Sequence, residues 1–112
     1  MERILVPGLY KYFKDKVYIV IGKADSVKEY ISVMDINTAF LALDSETKEN
    51  VSVYLMPDGQ LFVNKEDGKQ YVVYQAMYSY KDLYVREYDM FMSEVDHKKY
   101  PEVKQKYRFE KI

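Results

Sequence analysis

Short apolar runs separated by Asp-Gly pairs predict that this chain consists mostly of β-strands. The run VYIVIG at residues 17–22 is apolar up to Gly22, which predicts a buried strand. The segment VSVYLM at residues 51–56 begins with alternating apolar and polar residues, the pattern of a strand with one face in the core. The longest run, QYVVYQAMY at residues 70–78, predicts a central strand.

Two Asp-Gly pairs mark the turns between these runs. Asp58-Gly59 lies between two apolar runs and predicts a β-hairpin in which both central turn residues have a positive φ. Asp67-Gly68 predicts a second turn that leads into the central strand.

The segment KDLYVRE at residues 81–87 predicts a strand that pairs with the central one. Successive side chains of a strand point to opposite faces. We therefore expect Tyr84 and Arg86 on one face, and Leu83 and Val85 on the other.

Residues 26–44 fit two patterns. Ser26 and Glu29 have the spacing of a helix capping box, whereas residues 31–36 alternate like a strand. We favour strands with at most one helical turn.

The chain of 112 residues predicts one domain, residues 1–112, because two domains of this total length would each bury too little apolar surface. Aromatic and β-branched residues dominate the apolar set, which favours the all-β class. Several short strands with little helix predict a small barrel, or a strongly bent sheet, whose closure removes exposed strand edges.

Composition narrows the class of protein. With 48% hydrophobic and 31% charged residues, the chain is too apolar for a disordered protein and too charged for a membrane protein. The formal net charge of −1 argues against a dedicated nucleic-acid binder. The chain has no cysteine, which excludes disulfides and thiolate chemistry and fits a reducing cytoplasm. The apolar run at residues 4–6 is too short for a signal peptide, so we expect a cytoplasmic protein with no membrane partner.

Candidate catalytic and metal-ligating groups are sparse. The lone histidine, His97, lies beside two lysines, which predicts a solvated side chain. Asp44 and Glu46, and likewise Glu66 and Asp67, lack the spacing of a calcium loop and are expected in solvated turns. Phosphate-binding and nucleophile-elbow motifs are missing. We therefore expect no enzyme, cofactor or metal site, with a carboxylate-based enzyme as the third hypothesis.

Tyrosine and arginine indicate a binding surface. Thirteen tyrosines are more than a small core can bury with every hydroxyl hydrogen-bonded. Exposed tyrosines beside an arginine are typical of binding hot spots. Our first hypothesis is a non-catalytic interaction module that binds a protein or peptide. Its candidate binding residues are Tyr10, Tyr12, Tyr78, Tyr84 and Arg86. Under the competing interpretation, the tyrosines only cover the outside of the barrel.

The basic C-terminal segment, residues 97–112, carries the alternative hypothesis of a nucleic-acid-binding barrel. Its candidate residues are Lys98, Lys99, Lys104, Lys106, Tyr107 and Arg108. The competing interpretation is that Tyr107 and Phe109 pack onto the barrel while the lysines stay solvated. The acidic loops could also meet the basic segment of a second copy, which makes a dimer a further hypothesis.

Three blocks carry a resemblance to a known family: VPGLYKYFKDKVYIVIGKA at residues 6–24, VVYQAMY at residues 72–78 and LYVREYDMFMSEVD at residues 83–96. In order and spacing they resemble a small bacterial family known as domain of unknown function 1653. The matching residues are Pro7, Gly8, Tyr10, Lys14, Tyr18, Val20, Val72, Val73, Tyr74, Tyr78, Leu83, Val85, Arg86, Met90 and Phe91.

The resemblance implies a small SH3-like β-barrel and no established activity, substrate or cofactor. It also implies that residues 27–63 are an insertion that adds a strand or hairpin, and that residues 97–112 are a C-terminal extension. The segment DSET at residues 44–47 resembles a displaced family hairpin motif. Tyr84 and Glu87 stand where the family favours Trp and Pro. Arg86 is expected either to hydrogen-bond and lock the following turn, which we favour, or to face a ligand.

Overall fold

The computed structural model describes residues 3–26, 38–78 and 82–112. The two patterns predicted within residues 27–37, the capping box at Glu29 and the alternation at residues 31–36, lie outside the described residues.

The described residues form eight strands and one short helix. The strands are β1 (Gly8–Tyr12), β2 (Lys16–Ser26), β3 (Thr38–Asp44), β4 (Asn50–Leu55), β5 (Leu61–Val63), β6 (Gln70–Ala76), β7 (Leu83–Glu87) and β8 (Phe109–Lys111). The helix α1 (Tyr88–Phe91) follows β7 directly.

Six strands close into a ring in the order β2-β6-β7-β3-β4-β5, because β5 pairs with β2. The β2–β5 and β3–β7 pairs are parallel, and the other pairs in the ring are antiparallel. Strand β1 continues the sheet from β2, and β8 pairs with the outer edge of β1. The all-β class and the small closed barrel are confirmed.

Strand β6 is central, as its apolar run predicts, because it lies between two cores. Tyr71 and Val73 point into the ring, where they join a cluster of small and β-branched residues that we call the barrel core. Val72 and Tyr74 point to the opposite face, into the aromatic core. The buried members of the aromatic core are Tyr10, Tyr18, Val20, Val72, Tyr74, Ala76, Phe91 and Phe109. A strand covered on both faces must be apolar at nearly every position.

Strand β2 differs from its prediction as a buried strand. Its side chains alternate, so Ile19 and Ile21 are 37% and 45% exposed. A bulge between Val20 and Gly22 then shifts the register against β6. One extra residue reverses the faces. Val20 therefore lies in the aromatic core, and Ala24 lies in the barrel core.

The Asp58-Gly59 hairpin is confirmed between β4 and β5, but its turn type is not the predicted one. Among its central residues only Gly59 has a positive φ, of 90°. The Gly59 N–H donates to the Met56 carbonyl at 2.9 Å, with Pro57 and Asp58 between them. This is the arrangement of a type I turn followed by a left-handed glycine, a common alternative hairpin connection.

Asp44 is not the solvated turn residue that its position predicts. It is 2% exposed, and its Oδ2 lies 2.9 Å from the Lys65 ammonium. Its Oδ1 accepts hydrogen bonds from the backbone N–H groups of Glu46 and Thr47. Asp44 therefore organises the β3–β4 turn, which contains the DSET segment.

The described residues of the predicted insertion and of the predicted C-terminal extension both contribute to the core of the fold. Residues 38–63 supply β3, β4 and β5, which are three of the six ring strands. Within residues 97–112, Phe109 is buried in the aromatic core, whereas the lysines at 98, 99, 104 and 106 are exposed.

Candidate functional site

A cavity of about 170 Å³ opens on the side of the sheet that carries the aromatic core. We call it the Arg86 pocket. Five tyrosines dominate its lining, together with a phenylalanine, a serine and two cationic side chains: Tyr12, Tyr18, Tyr74, Tyr78, Tyr84, Phe109, Ser45, Lys48 and Arg86.

Strand alternation places these side chains together. Tyr84 and Arg86 point to the same face of β7, as their spacing predicts. The register brings Tyr74 of β6 opposite Tyr84, and their rings stack with centroids 5.6 Å apart. Ser45 and Lys48 come from the β3–β4 turn, which the parallel β3–β7 pairing holds beside Arg86.

Arg86 is enclosed without being fully hydrogen-bonded. Its side chain is 13% exposed, and its guanidinium carbon lies 5.5 Å from the centroid of the Phe109 ring. Its buried Nε has no hydrogen-bond partner among the described residues. Glu46 Oε1 is 3.6 Å from Nε, which is too long for a hydrogen bond. Nε therefore makes no hydrogen bond with the described residues that would lock the following turn, and the locking role of Arg86 stays a prediction.

The charge of Arg86 is maintained in this setting. Burial disfavours the cation, but the hydroxyls of Tyr74 and Tyr12 and the carboxylate of Glu46 outweigh burial and raise the pKa of Arg86. The guanidinium is therefore a permanent positive charge in the pocket.

The tyrosine hydroxyls are held in the neutral form. Burial and the neighbouring Tyr78 hydroxyl raise the pKa of Tyr84 to about 12. The same two causes raise the pKa of Tyr18, whose hydroxyl lies 3.4 Å from that of Tyr78. The Tyr74 hydroxyl is 2.5 Å from the Ser45 hydroxyl. These groups can donate hydrogen bonds to a ligand at neutral pH.

Four of the five predicted binding residues meet in this pocket: Tyr12, Tyr78, Tyr84 and Arg86. Tyr10 is placed elsewhere. It is 2% exposed in the aromatic core, and its hydroxyl donates to the Val6 carbonyl at 2.7 Å.

Four further residues line the pocket that were not predicted for this site: Tyr18, Tyr74, Ser45 and Lys48. Tyr18 and Tyr74 belong to the blocks that carry the family resemblance, and this signal was available in the sequence. Ser45 belongs to the DSET segment, but nothing local assigns it or Lys48 to this site, because both reach Arg86 through the pairing of β3 with β7.

The residues of the nucleic-acid hypothesis are spread over the C-terminal segment. Lys98, Lys99, Lys104 and Lys106 are exposed. One face of the Tyr107 ring is covered by the Arg3 guanidinium, whose carbon lies 3.8 Å from the ring centroid. Arg108 is half-buried, and its Nε lacks a hydrogen-bond partner among the described residues.

A basic aromatic cluster includes Lys99 and Tyr100 of the C-terminal segment. The Phe13 and Tyr100 rings meet edge to face at 5.1 Å. The ammonium groups of Lys14 and Lys99 lie 5.4 and 5.5 Å from the Tyr100 centroid. A hydrogen bond with Lys14 lowers the pKa of Tyr100.

His97 is exposed, and its Nε2 lies 3.0 Å from the Gln105 carbonyl. In the part of the chain that the structure describes, no three His, Asp or Glu side chains come together as a metal site would require.

The family described as "Protein of unknown function (DUF1653)" has a model that matches residues 60–111. No curated protein and no solved structure matches the chain. The match spans β5 to β8, and it includes the second and third resembling blocks with Arg86, Met90 and Phe91. The first block, residues 6–24, and the DSET segment lie outside it. The resemblance to the DUF1653 family is thus confirmed over residues 60–111 of this chain.

Proposed function

We propose that this protein is a non-catalytic interaction module that binds a protein or peptide through the Arg86 pocket. The observation that carries the proposal is the Arg86 guanidinium, held in an aromatic cavity with a buried Nε that has no hydrogen-bond partner among the described residues. Arg86 lines the cavity, so its guanidinium is placed to donate charge-assisted hydrogen bonds to a bound acceptor.

The size of the pocket favours recognition of a small part of a larger molecule. Its volume of about 170 Å³ is below the range of roughly 300–1,000 Å³ typical of sites for cofactors and drug-sized molecules. One side chain, or one end of a peptide, suits this space. Tyr78 is 55% exposed at the pocket, and the neighbouring Met77 is 56% exposed. These side chains offer apolar contacts to the rest of a peptide.

The lining of the pocket supports binding over catalysis. Among the described residues that line it, none is a carboxylate or a histidine that could act as a general base for Ser45. The raised pKa values of Tyr18 and Tyr84 keep these hydroxyls from serving as phenolate bases. Hydrogen-bond donors and aromatic surface remain, and these are the groups found at protein-binding hot spots.

A screen of displayed peptides tests this function. The wild type, Arg86→Met and Arg108→Met are each challenged with random extended peptides, with half of the library ending in a free C-terminus. Arg108→Met is the matched control, because Arg108 also has a buried Nε without a partner but does not line the pocket.

We expect the wild type and Arg108→Met to select the same peptides, and Arg86→Met to lose them. Selection of no common peptide by the wild type, or of the same peptides by Arg86→Met, would contradict the proposal.

A nucleic-acid-binding function is the second candidate, supported by the cluster of Phe13, Lys14, Lys99 and Tyr100. Aromatic rings flanked by ammonium groups suit stacking of single-stranded bases beside their phosphates. The test is fluorescence anisotropy with labelled oligothymidylate and oligouridylate at several salt concentrations. Binding that weakens steeply with salt and is lost in Tyr100→Ala would support this candidate, and no binding at low salt would remove it.

We also propose a cytoplasmic location, on the ground that the chain contains no cysteine. None of the helices in the described parts of the chain has the length and apolar character to cross a membrane. Fractionation of cells that produce the tagged protein tests the location.

A further inference from the structure

We infer that the group recognised in the Arg86 pocket is a carboxylate, presented by the C-terminus or an acidic side chain of an extended peptide. The inference rests on the proposed function, because it names the chemistry that the pocket would select. Its basis is the kind and number of charges around Arg86.

The donors in the pocket suit an anion. The guanidinium offers N–H groups in a planar fork that matches the two oxygens of a carboxylate. Lys48 adds a second cation to the lining, and the neutral hydroxyls of Tyr18 and Tyr84 add donors. Aromatic rings keep the site partly dry, which strengthens a charge-assisted hydrogen bond.

The limited positive charge favours a carboxylate over a phosphate. Modules that recognise phosphorylated peptides gather several arginines around the phosphate. Here one arginine and one lysine line the pocket among the described residues, and Glu46 partly offsets Arg86 from 3.6 Å away. This balance matches a single negative charge better than a phosphate dianion.

Glu46 already shows how a carboxylate approaches this guanidinium. Its Oε1 lies on the Nε side of Arg86, and its side chain is 44% exposed at the tip of the β3–β4 turn. A partly solvated ion pair of this length is weak. The Glu46 charge therefore competes with a ligand carboxylate for Arg86 without closing the pocket.

Small probes can test the carboxylate directly. The ¹⁵N-labelled protein is titrated with sodium acetate at constant ionic strength, and the Nε–Hε signals of Arg86 and Arg108 are followed by NMR. Acetamide tests the need for charge, and inorganic phosphate tests the preference between anions.

We expect acetate to shift the Arg86 signal along a saturating curve and to leave the Arg108 signal in place. Acetamide should cause no shift, and phosphate should bind no more tightly than acetate. Equal shifts of both arginines would indicate a general ionic effect and overturn the inference. Tighter binding of phosphate would overturn the assignment to carboxylates.

Variants add a second test. Arg86→Lys, in which acetate binding is followed through the backbone amide signals of Ser45 and Lys48, should weaken binding about 10- to 100-fold, because the planar fork of donors is lost. Glu46→Gln should strengthen acetate binding by up to about fivefold, the effect of removing one weak, partly solvated like charge. Weaker acetate binding in Glu46→Gln would show that Glu46 promotes binding. It would contradict the inference that Glu46 competes with the ligand carboxylate for Arg86.

The acetate titration and the peptide screen can succeed or fail independently of each other. Acetate binding at Arg86 without any selected peptide would sustain a carboxylate site while removing the peptide-binding function. Peptides selected through Arg86 that bind equally well after their carboxylates are amidated would sustain the function and overturn this inference.

Discussion

The rings of Phe91 and Phe109 lie 10° from parallel, with their centroids 4.0 Å apart. This stack joins α1, which follows β7, to the C-terminal strand β8. Phe109 also lines the Arg86 pocket, and the Arg86 guanidinium lies 5.5 Å from its centroid. The C-terminal segment therefore supplies one wall of the candidate site as well as part of the aromatic core.

Phe109→Ala should strongly destabilise the protein. Phe109 is 1% exposed, and truncating a buried phenylalanine costs roughly 3–5 kcal/mol through lost burial and the cavity left behind. Ile112→Ala is the matched control, because Ile112 is 64% exposed and its loss should cost less than about 0.5 kcal/mol. Urea unfolding measures both. Equal losses of unfolding free energy in the two variants would show that the burial of Phe109 in β8 does not stabilise the protein.

Arg86→Met should leave stability nearly unchanged while it abolishes peptide selection. The cost of burying the cation opposes its favourable contacts with Tyr74, Tyr12 and Glu46, so we expect a net change within about 1 kcal/mol. Methionine keeps an apolar stem of similar length, although the contact of the guanidinium with the Phe109 ring is lost. Urea unfolding gives the stability. A loss of several kcal/mol would instead indicate the structural role that we favoured from the sequence.

The Asp44–Lys65 pair should make stability depend on acidic pH. Burial opposes the charge of Asp44, but Lys65 and the backbone amides of Thr47 and Glu46 outweigh it and lower the pKa below 3.8. The folded state is thus favoured by ionised Asp44 above that pH, and this contribution disappears as the pH falls through the folded pKa.

Asp44→Asn should therefore cost about 1–3 kcal/mol at pH 7, the effect of leaving a charged hydrogen-bonding partner unpaired. The difference from the wild type should shrink below pH 3.8. Urea unfolding between pH 2 and pH 7 tests both statements, with the exposed Asp58→Asn as control. A difference that stays constant with pH would contradict the assignment.

Tyr84 should make stability depend on alkaline pH. Its pKa is raised to about 12 by burial and by the Tyr78 hydroxyl, so its folded-state stabilisation is complete below pH 10 and is lost as the pH rises toward 12. Tyr84→Phe lacks this titration. The stability of the wild type relative to Tyr84→Phe should therefore fall between pH 10 and pH 12. A constant difference in the free energy of unfolding between the two proteins across that interval would show that the pKa of Tyr84 is not raised in the folded state.

Gly59→Ala should cost about 1 kcal/mol, through backbone strain alone. The φ of Gly59 is 90°, and a Cβ added there meets no atom within 4 Å. Gly59→Asn should cost less, because asparagine tolerates left-handed conformations better than alanine. Thermal unfolding compares the two variants. Equal costs would show that the turn rearranges instead of accepting strain.

The sequence by itself determined the features that depend on neighbouring residues. Alternation placed Tyr84 and Arg86 on one face, and Asp58-Gly59 located a hairpin although the turn type differs. The apolar run of β6 indicated its central place. In each of these cases the signal and the structure lie within a few residues of each other, so side-chain periodicity and turn chemistry suffice.

Only the tertiary structure decided which distant side chains meet. The bulge at Ile21 reverses the faces of β2, and the parallel pairing of β3 with β7 brings Ser45 and Lys48 to Arg86. Lys65, which follows β5, pairs with Asp44 and offsets the cost of burying its charge. Register between distant strands depends on the packing of the whole barrel, because a shift of one residue exchanges the two faces of a strand. The candidate site exists only where that register brings residues 12–18, 45–48, 74–86 and Phe109 together.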